Sequence, residues 1–364
     1  WKGKTFSATA DPFRWSPVIH VNQEGYVPGF PKKAMVGYYL GSLGELDLEQ
    51  GKEFHLLEAG SNRKVFSGTL RSRRDVGFNP SAYQAVFEAD FSEFNQAGEY
   101  RLHVPGLGTS YPFFIDPGVA AAFARAYALG LYHQRCGTPN ELPYSRFEHG
   151  ACHVKPAEIP TAAFTVVNRV LELETENAGS NPRHSAPRIK DVTASLYPFV
   201  KKGRVDVSGG HHDAGDYSKY TINVAQLIHA LVFAVDAFPG VGELDNLGLP
   251  ESGDGKSDLL QEAKWEADFL VKMQDEDGGF YFLVYPKERR YEHDVLPDRG
   301  DPQVVFPKTT AATAAAVAAL AQIASSPLFK KQFPEASKLY LEKALKGWGF
   351  LEKAFEKHGR DGAY

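Results

Sequence analysis

The sequence has 364 residues, a formal net charge of −5 and 43% hydrophobic side chains, so it is long and apolar enough to bury a large core. It contains neither a basic stripe for nucleic acid nor an apolar run of about 18 residues that would span a bilayer. Two cysteines are too few for a disulfide framework. We therefore expect a two-domain protein with neither a nucleic-acid nor a membrane partner.

Residues 1–15 are predicted to form an N-terminal extension, and residues 16–116 alternate between short hydrophobic runs and turn residues. The runs are as long as typical strands and recur about every ten residues, as in antiparallel sandwiches. They read VIHVNQEGYV, KKAMVGYYL, EFHLLEAG, KVFSGTL, YQAVFEADF and GEYRLHVPG. This pattern predicts an immunoglobulin-like β-sandwich.

Asp-Pro-Gly at residues 116–118 indicates a domain boundary, and residues 117–364 have a predominantly helical pattern. Apolar residues recur at helical spacing in segments such as INVAQLIHALVFAVDAF and SDLLQEAKWEADFLVKMQ. Loops rich in Gly, Pro and Asp interrupt the helices at residues 139–163 and 275–308. Such long loops are uncommon unless they carry function, so we expect a helical scaffold with functional loops at one end.

The stretch VDVSGGHHDAGDYSKY, residues 205–220, concentrates ionisable side chains beside glycines. Its histidine pair is followed by Asp213 and, three residues later, by Asp216. Paired carboxylates on a glycine-flanked turn suit general acid or base chemistry. They also suit an Asx-type turn that caps a helix beginning near Tyr220. The residues alone leave both interpretations open.

Six segments read VIHVNQEGYVPGFPKKAMV, LYHQRCGTP, HGACH, DVSGGHHDAGDYSKY, PESGDGKSDLLQEAKWEADFLVKMQ and KTTAATAAAVAALA. Their content and order resemble glycoside hydrolase family 9, in particular bacterial cellulases with an N-terminal immunoglobulin-like domain. The resemblance covers nearly the whole chain, and the DAGDY core is a specific signal. It implies an (α/α)6 barrel that hydrolyses β-1,4-glucans with inversion at the anomeric carbon.

The resemblance also implies residue roles. Asp216 matches the family's general base, and Asp213 matches the aspartate that helps to hold the attacking water. His211 stands where many relatives have Trp, at a position bordering the substrate cleft, so we predict that His211 and Tyr217 contact substrate. The other loop aromatics are assigned to the core: Phe280, Tyr281, Phe282 and Tyr285.

Inverting hydrolysis needs an acid roughly 6.5–9.5 Å from the base, across the sugar. Asp213 and Asp216 cannot be that opposed pair if they share a tight turn. In the family the acid is a late Glu, and only about five or six barrel helices can be counted here. We therefore expect the N-terminal part of a longer enzyme, with the acid beyond Tyr364 and no hydrolysis by residues 1–364 alone. Glu288 and Glu292 are the candidates within the chain.

Cys136, Cys152 and His153 offer thiolate and imidazole ligands, which zinc binds in tetrahedral sites of four. His212 supplies the fourth, and His211 is the alternative. Some relatives with the immunoglobulin-like domain have such a zinc site. The residues that match it are Cys136, Cys152, His153 and His212. Four protein ligands imply a structural ion. A disulfide or two buried free thiols are the alternatives.

PESGDGKSD, residues 250–258, places oxygen-bearing side chains around two glycines, and calcium accepts six to eight oxygens. Glu251, Asp254 and Asp258 are the predicted calcium ligands. The spacing is not that of an EF-hand, and a solvated loop with Ser257 as helix cap is the alternative.

We thus expect a secreted or periplasmic endo-β-1,4-glucanase with a β-glucan partner, a structural zinc ion and a calcium ion. The remainder of its catalytic domain is the other expected partner. Within the same fold, the alternative is an exo-acting β-glucosidase or glucosaminidase. Outside it, the alternatives are a carbohydrate-binding scaffold and a zinc hydrolase.

Overall fold

The structure is a computed structural model that describes residues 3–5, 7–73, 85–160, 197–287, 296–299 and 302–359. The chain divides into two compact units, Trp1–Ala126 and Tyr127–Tyr364. The division falls within the first helix, later than residue 116 where the sequence suggested a boundary. Within the described stretches, no helix is both long and apolar enough to cross a bilayer.

The first unit is the predicted antiparallel sandwich. Its two sheets have the orders β1-β2-β6-β5 and β4-β3-β7-β8, with β9 also paired to β7. Alternate side chains enter the core, as Tyr100, Leu102 and Val104 do from β7. The strands are β1 Ile19–His20, β2 Lys33–Val36, β3 Glu53–Glu58, β4 Lys64–Thr69, β5 Arg71–Ser72, β6 Phe87–Asp90, β7 Gly98–Val104, β8 Gly108–Thr109 and β9 Phe113–Ile115.

The second unit has a helical core, as predicted. Helix α2 packs against α3 and α4, and α4 packs against α6. Close approach of α4 and α6 depends on Gly347, because a Cβ there would lie 2.6 Å from Cγ2 of Val317. The helices are α1 Val119–Gln134, which begins in the first unit, α2 Thr221–Ala237, α3 Asp258–Lys272, α4 Thr310–Ser325, α5 Pro327–Gln332 and α6 Pro334–His358.

The second unit also contains a five-stranded sheet that the sequence analysis did not predict. Its order is β11-β10-β14-β13-β12, and only β10 with β14 is parallel. The strands are β10 Ala157–Glu158, β11 Arg204–Val205, β12 Lys219–Tyr220, β13 Leu283–Pro286 and β14 Gln303–Val305. Most of them lie in the stretches assigned to loops, because strands of two to four residues are too short to show a repeating pattern. Strand β12 begins three residues after Asp216 and so fixes one end of the turn that carries the two aspartates.

Candidate active site and metal centre

The aspartate bend, residues 213–216, is held at both ends by backbone hydrogen bonds. Before it, residues 210–212 lie antiparallel to the end of α1, where His212 N–H donates to Gln134 O over 2.9 Å. After it, Asp213 N–H donates to Ser218 O over 2.9 Å, which closes the turn. The sheet then takes up the chain at β12. The bend is therefore a short loop on a fixed base.

Both carboxylates of the bend reach solvent, Asp213 exposed and Asp216 half-buried. The side-chain amide of Asn223 donates a hydrogen bond to Asp213 Oδ1 and so orients that carboxylate. Helix α2 begins at Thr221 with Tyr220 as its N-cap, and its N-cap makes no side-chain capping hydrogen bond. The interpretation of these aspartates as a helix cap is wrong. They remain accessible to a water molecule or a substrate.

The glycine pair before the bend is required by backbone conformation and by space. Gly209 and Gly210 have φ values of +88° and +71°, in the left-handed region that side chains disfavour. A Cβ on Gly210 would lie 2.8 Å from the Phe269 ring and 2.9 Å from Glu266 Oε2. The glycines let the chain pass close to α3 on its way to the bend.

The predicted zinc ligands come together. One ligand atom from each of Cys136, Cys152, His153 and His212 lies within 4.8 Å of the others, and all four residues are buried. Sγ of Cys136 is 3.2 Å from Nδ1 of His153, and Sγ of Cys152 is 3.1 Å from Nε2 of His212. The cysteines form no disulfide. We call these four residues the Cys2His2 group.

Three features fit the Cys2His2 group to a metal ion. Burial alone would raise the pKa of the Cys136 thiol, but its hydrogen bond with Cys152 and the charges of Lys219 and His153 lower it well below the usual value, whereas the same hydrogen bond and burial raise the pKa of Cys152. His153 has a φ of +53°, a strained conformation for a non-glycine residue. Asp298 then accepts two backbone N–H hydrogen bonds from the residues after His153. Thiolate and imidazole ligands that the fold holds in place despite the strained backbone at His153 can bind a soft divalent metal.

His211 lies outside the Cys2His2 group, so His212 and not His211 is the fourth member. The His211 ring is 5% exposed, with Nε2 3.1 Å from Glu262 Oε2 and Nδ1 2.9 Å from Glu266 Oε1. Arg135 binds the other side of Glu262 and also pairs with Glu251. This buried position does not support the prediction that His211 contacts substrate.

The two glutamates control the protonation of His211. Burial alone would lower its pKa, but the charges and hydrogen bonds of Glu266 and Glu262 raise it to about 9. Burial likewise opposes ionisation of Glu262, but hydrogen bonding and charge from His211 and Arg135 lower its pKa. The cluster is therefore a buried network of opposite charges.

Tyr217 is half-buried, and its ring meets the His212 ring edge-on at 4.9 Å between centroids. It lies directly after the bend, so substrate contact by Tyr217 remains a prediction. Three of the loop aromatics assigned to the core are buried there, and Phe282 is partly buried; the four are Phe280, Tyr281, Phe282 and Tyr285.

The predicted calcium ligands do not meet at one point. Glu251 pairs with Arg135, and Asp254 pairs with Lys256 over 2.9 Å. Asp258 is fully buried and accepts hydrogen bonds from Leu247 N and from a serine hydroxyl. Over the described part of the chain, the Cys2His2 group is the set of three or more His, Cys, Asp or Glu side chains that lie close enough to share one ion. Ser257 is the N-cap residue of α3 but makes no capping hydrogen bond.

The candidate acids Glu288 and Glu292 lie outside the described residues. Of the candidate catalytic carboxylates, only Asp213 and Asp216 lie within the described residues.

Comparison with known families agrees with this geometry. The family model described as "Glycosyl hydrolase family 9" matches residues 122–364. The chain belongs to glycosyl hydrolase family 9. A second model, "Cellulase N-terminal ig-like domain", matches residues 14–109, within the sandwich unit.

Curated family 9 relatives align with most of this chain. Endoglucanase D of Acetivibrio thermocellus is 26% identical over 343 residues, which are 93% of this chain and 46% of that protein. A xyloglucan-specific endo-beta-1,4-glucanase of Bacteroides ovatus is 29% identical over 341 residues, 92% of this chain and 50% of that protein. The chain thus spans about half the length of these family 9 proteins.

Solved family 9 structures share the fold. A metagenome-derived endoglucanase superimposes with a TM-score of 0.68 at 27% identity, over 92% of this chain and 54% of that one. A "Zn-binding triple mutant" of another family 9 endoglucanase gives a TM-score of 0.65 at 27% identity, over 90% and 53%. These matches agree with the predicted sandwich followed by part of an (α/α)6 barrel.

Sequence reasoning missed the buried charges that support this family 9 site. Glu262 and Glu266 lie four residues apart on the same face of α3 as Ala263, Ala267 and Leu270, all of them buried. Two acids within an apolar face require buried partners, and that signal was available in the sequence. The identity of the partners was not, because they lie more than 50 residues away along the chain.

Proposed function

We propose that the complete protein hydrolyses β-1,4-glucosidic bonds in cellulose or related β-glucans, with inversion, as an endoglucanase. The observation that carries the proposal is the aspartate bend, where two accessible carboxylates lie on a loop fixed by buried groups. Pure sugar binding does not need paired carboxylates on such a turn, which argues against a carbohydrate-binding scaffold. Family membership and relatives named endoglucanases support the same activity.

In this proposal Asp216 is the general base that removes a proton from the attacking water. Asp213, whose carboxylate is oriented by Asn223, accepts the second hydrogen bond of that water. The oxygen of the water then attacks the anomeric carbon from the face opposite the leaving group. A carboxylic acid across the sugar protonates the leaving oxygen, and we expect that acid outside the described residues.

The runner-up is exo-acting hydrolysis by the same site. Two relatives support this alternative. They are named cellulose 1,4-beta-cellobiosidase and cellodextrinase, and they are 28% and 24% identical to this chain. The complete protein should be incubated with soluble β-glucan and with cellobiose. An endoglucanase lowers the viscosity early and releases a range of oligomers, whereas an exo enzyme releases one short product. An exo enzyme that removes single glucose units also retains activity on the dimer.

We also propose that the metal of the Cys2His2 group is a structural zinc ion. Two thiolates and two imidazoles are a preferred donor set for zinc, and four protein ligands leave no coordination position for water. This argues against a zinc hydrolase. The ion would join the loop after α1, the loop at His153 and the residue before Asp213.

Finally, we propose that the protein acts outside the cytoplasm, in the periplasm or as a secreted enzyme. The support is chemical, because polymeric β-glucan does not cross a membrane. Fractionation of the producing cells tests the location, and recovery of the enzyme solely in the cytoplasm would contradict it.

A further inference from the structure

Lys219 lies on β12, three residues after Asp216, and is fully buried. Its ammonium donates to Cys136 Sγ over 3.0 Å and to Gly209 O over 3.0 Å, and it contacts Val207 O. It also lies 4.2 Å from the centre of the Phe269 ring. Its three hydrogen-bond acceptors are thus one sulfur and two carbonyl oxygens.

A buried ammonium is costly unless an opposite charge accompanies it. Lys308, which is equally buried, has Asp275 at 2.8 Å and Asp277 at 2.7 Å. Among the described residues, no carboxylate forms such a salt bridge with Lys219. The anionic partner available to it is the sulfur of Cys136 in its thiolate form, which is also the form that binds a metal.

We propose that Lys219 is a positioning residue for the metal centre, whose ammonium fixes the Cys136 thiolate and connects the Cys2His2 group to the base of the aspartate bend. Hydrogen bonds from outside the ligand set orient a ligand and set its electron donation to the metal. The carbonyl contacts at Val207 and Gly209 precede the bend, and Lys219 itself follows it. One side chain therefore closes the loop that carries Asp213 and Asp216.

This inference rests on the proposed metal binding but not on the proposed hydrolysis, so the experiment measures metal binding. The full chain is prepared as the wild type and as Lys219→Met, which has a similar length without the charge. The matched control is Lys272→Met, because Lys272 also holds this loop, through Ser208 O and Oγ, but does not contact the sulfur. Zinc affinity is measured by competition with a chromogenic chelator, and the Co²⁺-substituted proteins are compared by absorption spectroscopy.

We expect the zinc dissociation constant of Lys219→Met to rise about 10- to 100-fold, as for other groups that orient metal ligands. The thiolate-to-cobalt charge-transfer band should shift as well, because the hydrogen bond to one sulfur is lost. Lys272→Met should keep both the affinity and the band. A purely structural role for Lys219 would lower stability without moving the band.

The outcomes separate the two proposals. If the wild type retains no zinc, the metal proposal and this one both fail. If the wild type binds zinc and Lys219→Met keeps its affinity and cobalt spectrum, only the role of Lys219 is overturned. If Lys219→Met does not fold, as judged by circular dichroism, Lys219→Gln, which retains a donor to the carbonyls, replaces it under the same criteria.

Discussion

His211 and His212 are consecutive residues whose rings enter two different buried polar clusters. The His211 ring lies between Glu262 and Glu266, and Nε2 of His212 lies 3.1 Å from Sγ of Cys152. Asp213 follows immediately and is exposed. The chain before the bend is thus fixed by an ion-pair network on one side and by the candidate metal centre on the other.

Replacing His211 tests whether it supports structure or contacts substrate. His211→Gln leaves buried Glu266 without its cationic partner and leaves Glu262 with Arg135 alone, so the free energy of unfolding should fall by about 3–5 kcal/mol. Urea unfolding measures the loss. Lys264→Gln is the control, because its pair with Asp268 on the same helix is partly exposed and should contribute less than about 1 kcal/mol. An unchanged stability with a raised KM would instead favour substrate contact by His211.

Removing the thiols tests the structural role of the metal. Metal bound only by the folded state adds to stability, so the double variant Cys136→Ser, Cys152→Ser should contain less zinc and melt at a lower temperature. Chelation of the wild type should lower its melting temperature in the same direction. Complete loss of activity at low temperature with an intact fold would place the metal in the chemistry.

Two glycines of the same loop should respond differently to a methyl group. Gly210→Ala places a Cβ at a positive φ against Phe269 and Glu266, and should cost about 1–3 kcal/mol of stability. Gly215→Ala, inside the bend, meets no atom within 4 Å and has no positive φ, so it should be tolerated by the fold. Thermal unfolding of both variants checks this. Equal stability of the two would contradict the packing described at Gly210.

Asp275 should make the second unit sensitive to acid. Burial opposes its ionisation, but Lys308 and the N–H groups of Val200, Lys201 and Glu276 lower its pKa. A lowered folded pKa gives stability that is complete above the unfolded pKa of about 3.9 and is lost as the pH falls through the folded value.

Asp275→Asn should therefore be about 3 kcal/mol less stable than the wild type near neutral pH, and the difference should shrink below about pH 4. Urea unfolding across this pH range measures it. Asp277→Asn, whose side chain is 34% exposed, is the control and should lose less. A difference that does not change with pH would show that the charge of Asp275 is not the source.

The sequence contained enough to predict the sandwich, the helices and the Cys2His2 group. Strand alternation and helical periodicity are local signals, and within the predicted helical segment α2 buries Ala225, Ile228 and Val232. The chain has two cysteines but 12 histidines, and the resemblance to relatives with a zinc site indicated which histidines complete the ligand set. The buried partners of His211 were not predictable, because Glu262 and Glu266 approach it only when α3 packs beneath the loop.

The structure does not support the calcium prediction, and the reason is again that tertiary partners could not be predicted from the sequence. Glu251, Asp254 and Asp258 are close in sequence, but Arg135 and Lys256 engage the first two and the backbone at Leu247 engages the third. Local density of carboxylates does not reveal which cations and N–H groups the fold supplies. Tertiary pairing decides whether oxygens remain free for an ion.

We propose that Asp216 is the general base, and the decisive experiment is its replacement in the complete enzyme. Values of kcat/KM on a soluble cello-oligosaccharide are compared for the wild type, Asp216→Ala, Asp213→Ala and the surface control Asp254→Ala, with melting temperatures measured alongside. Asp216→Ala should fold normally and lose about 10²- to 10⁴-fold in rate, Asp213→Ala should lose less, and the control should be unchanged. A folded Asp216→Ala variant with activity near the wild type would contradict the assignment.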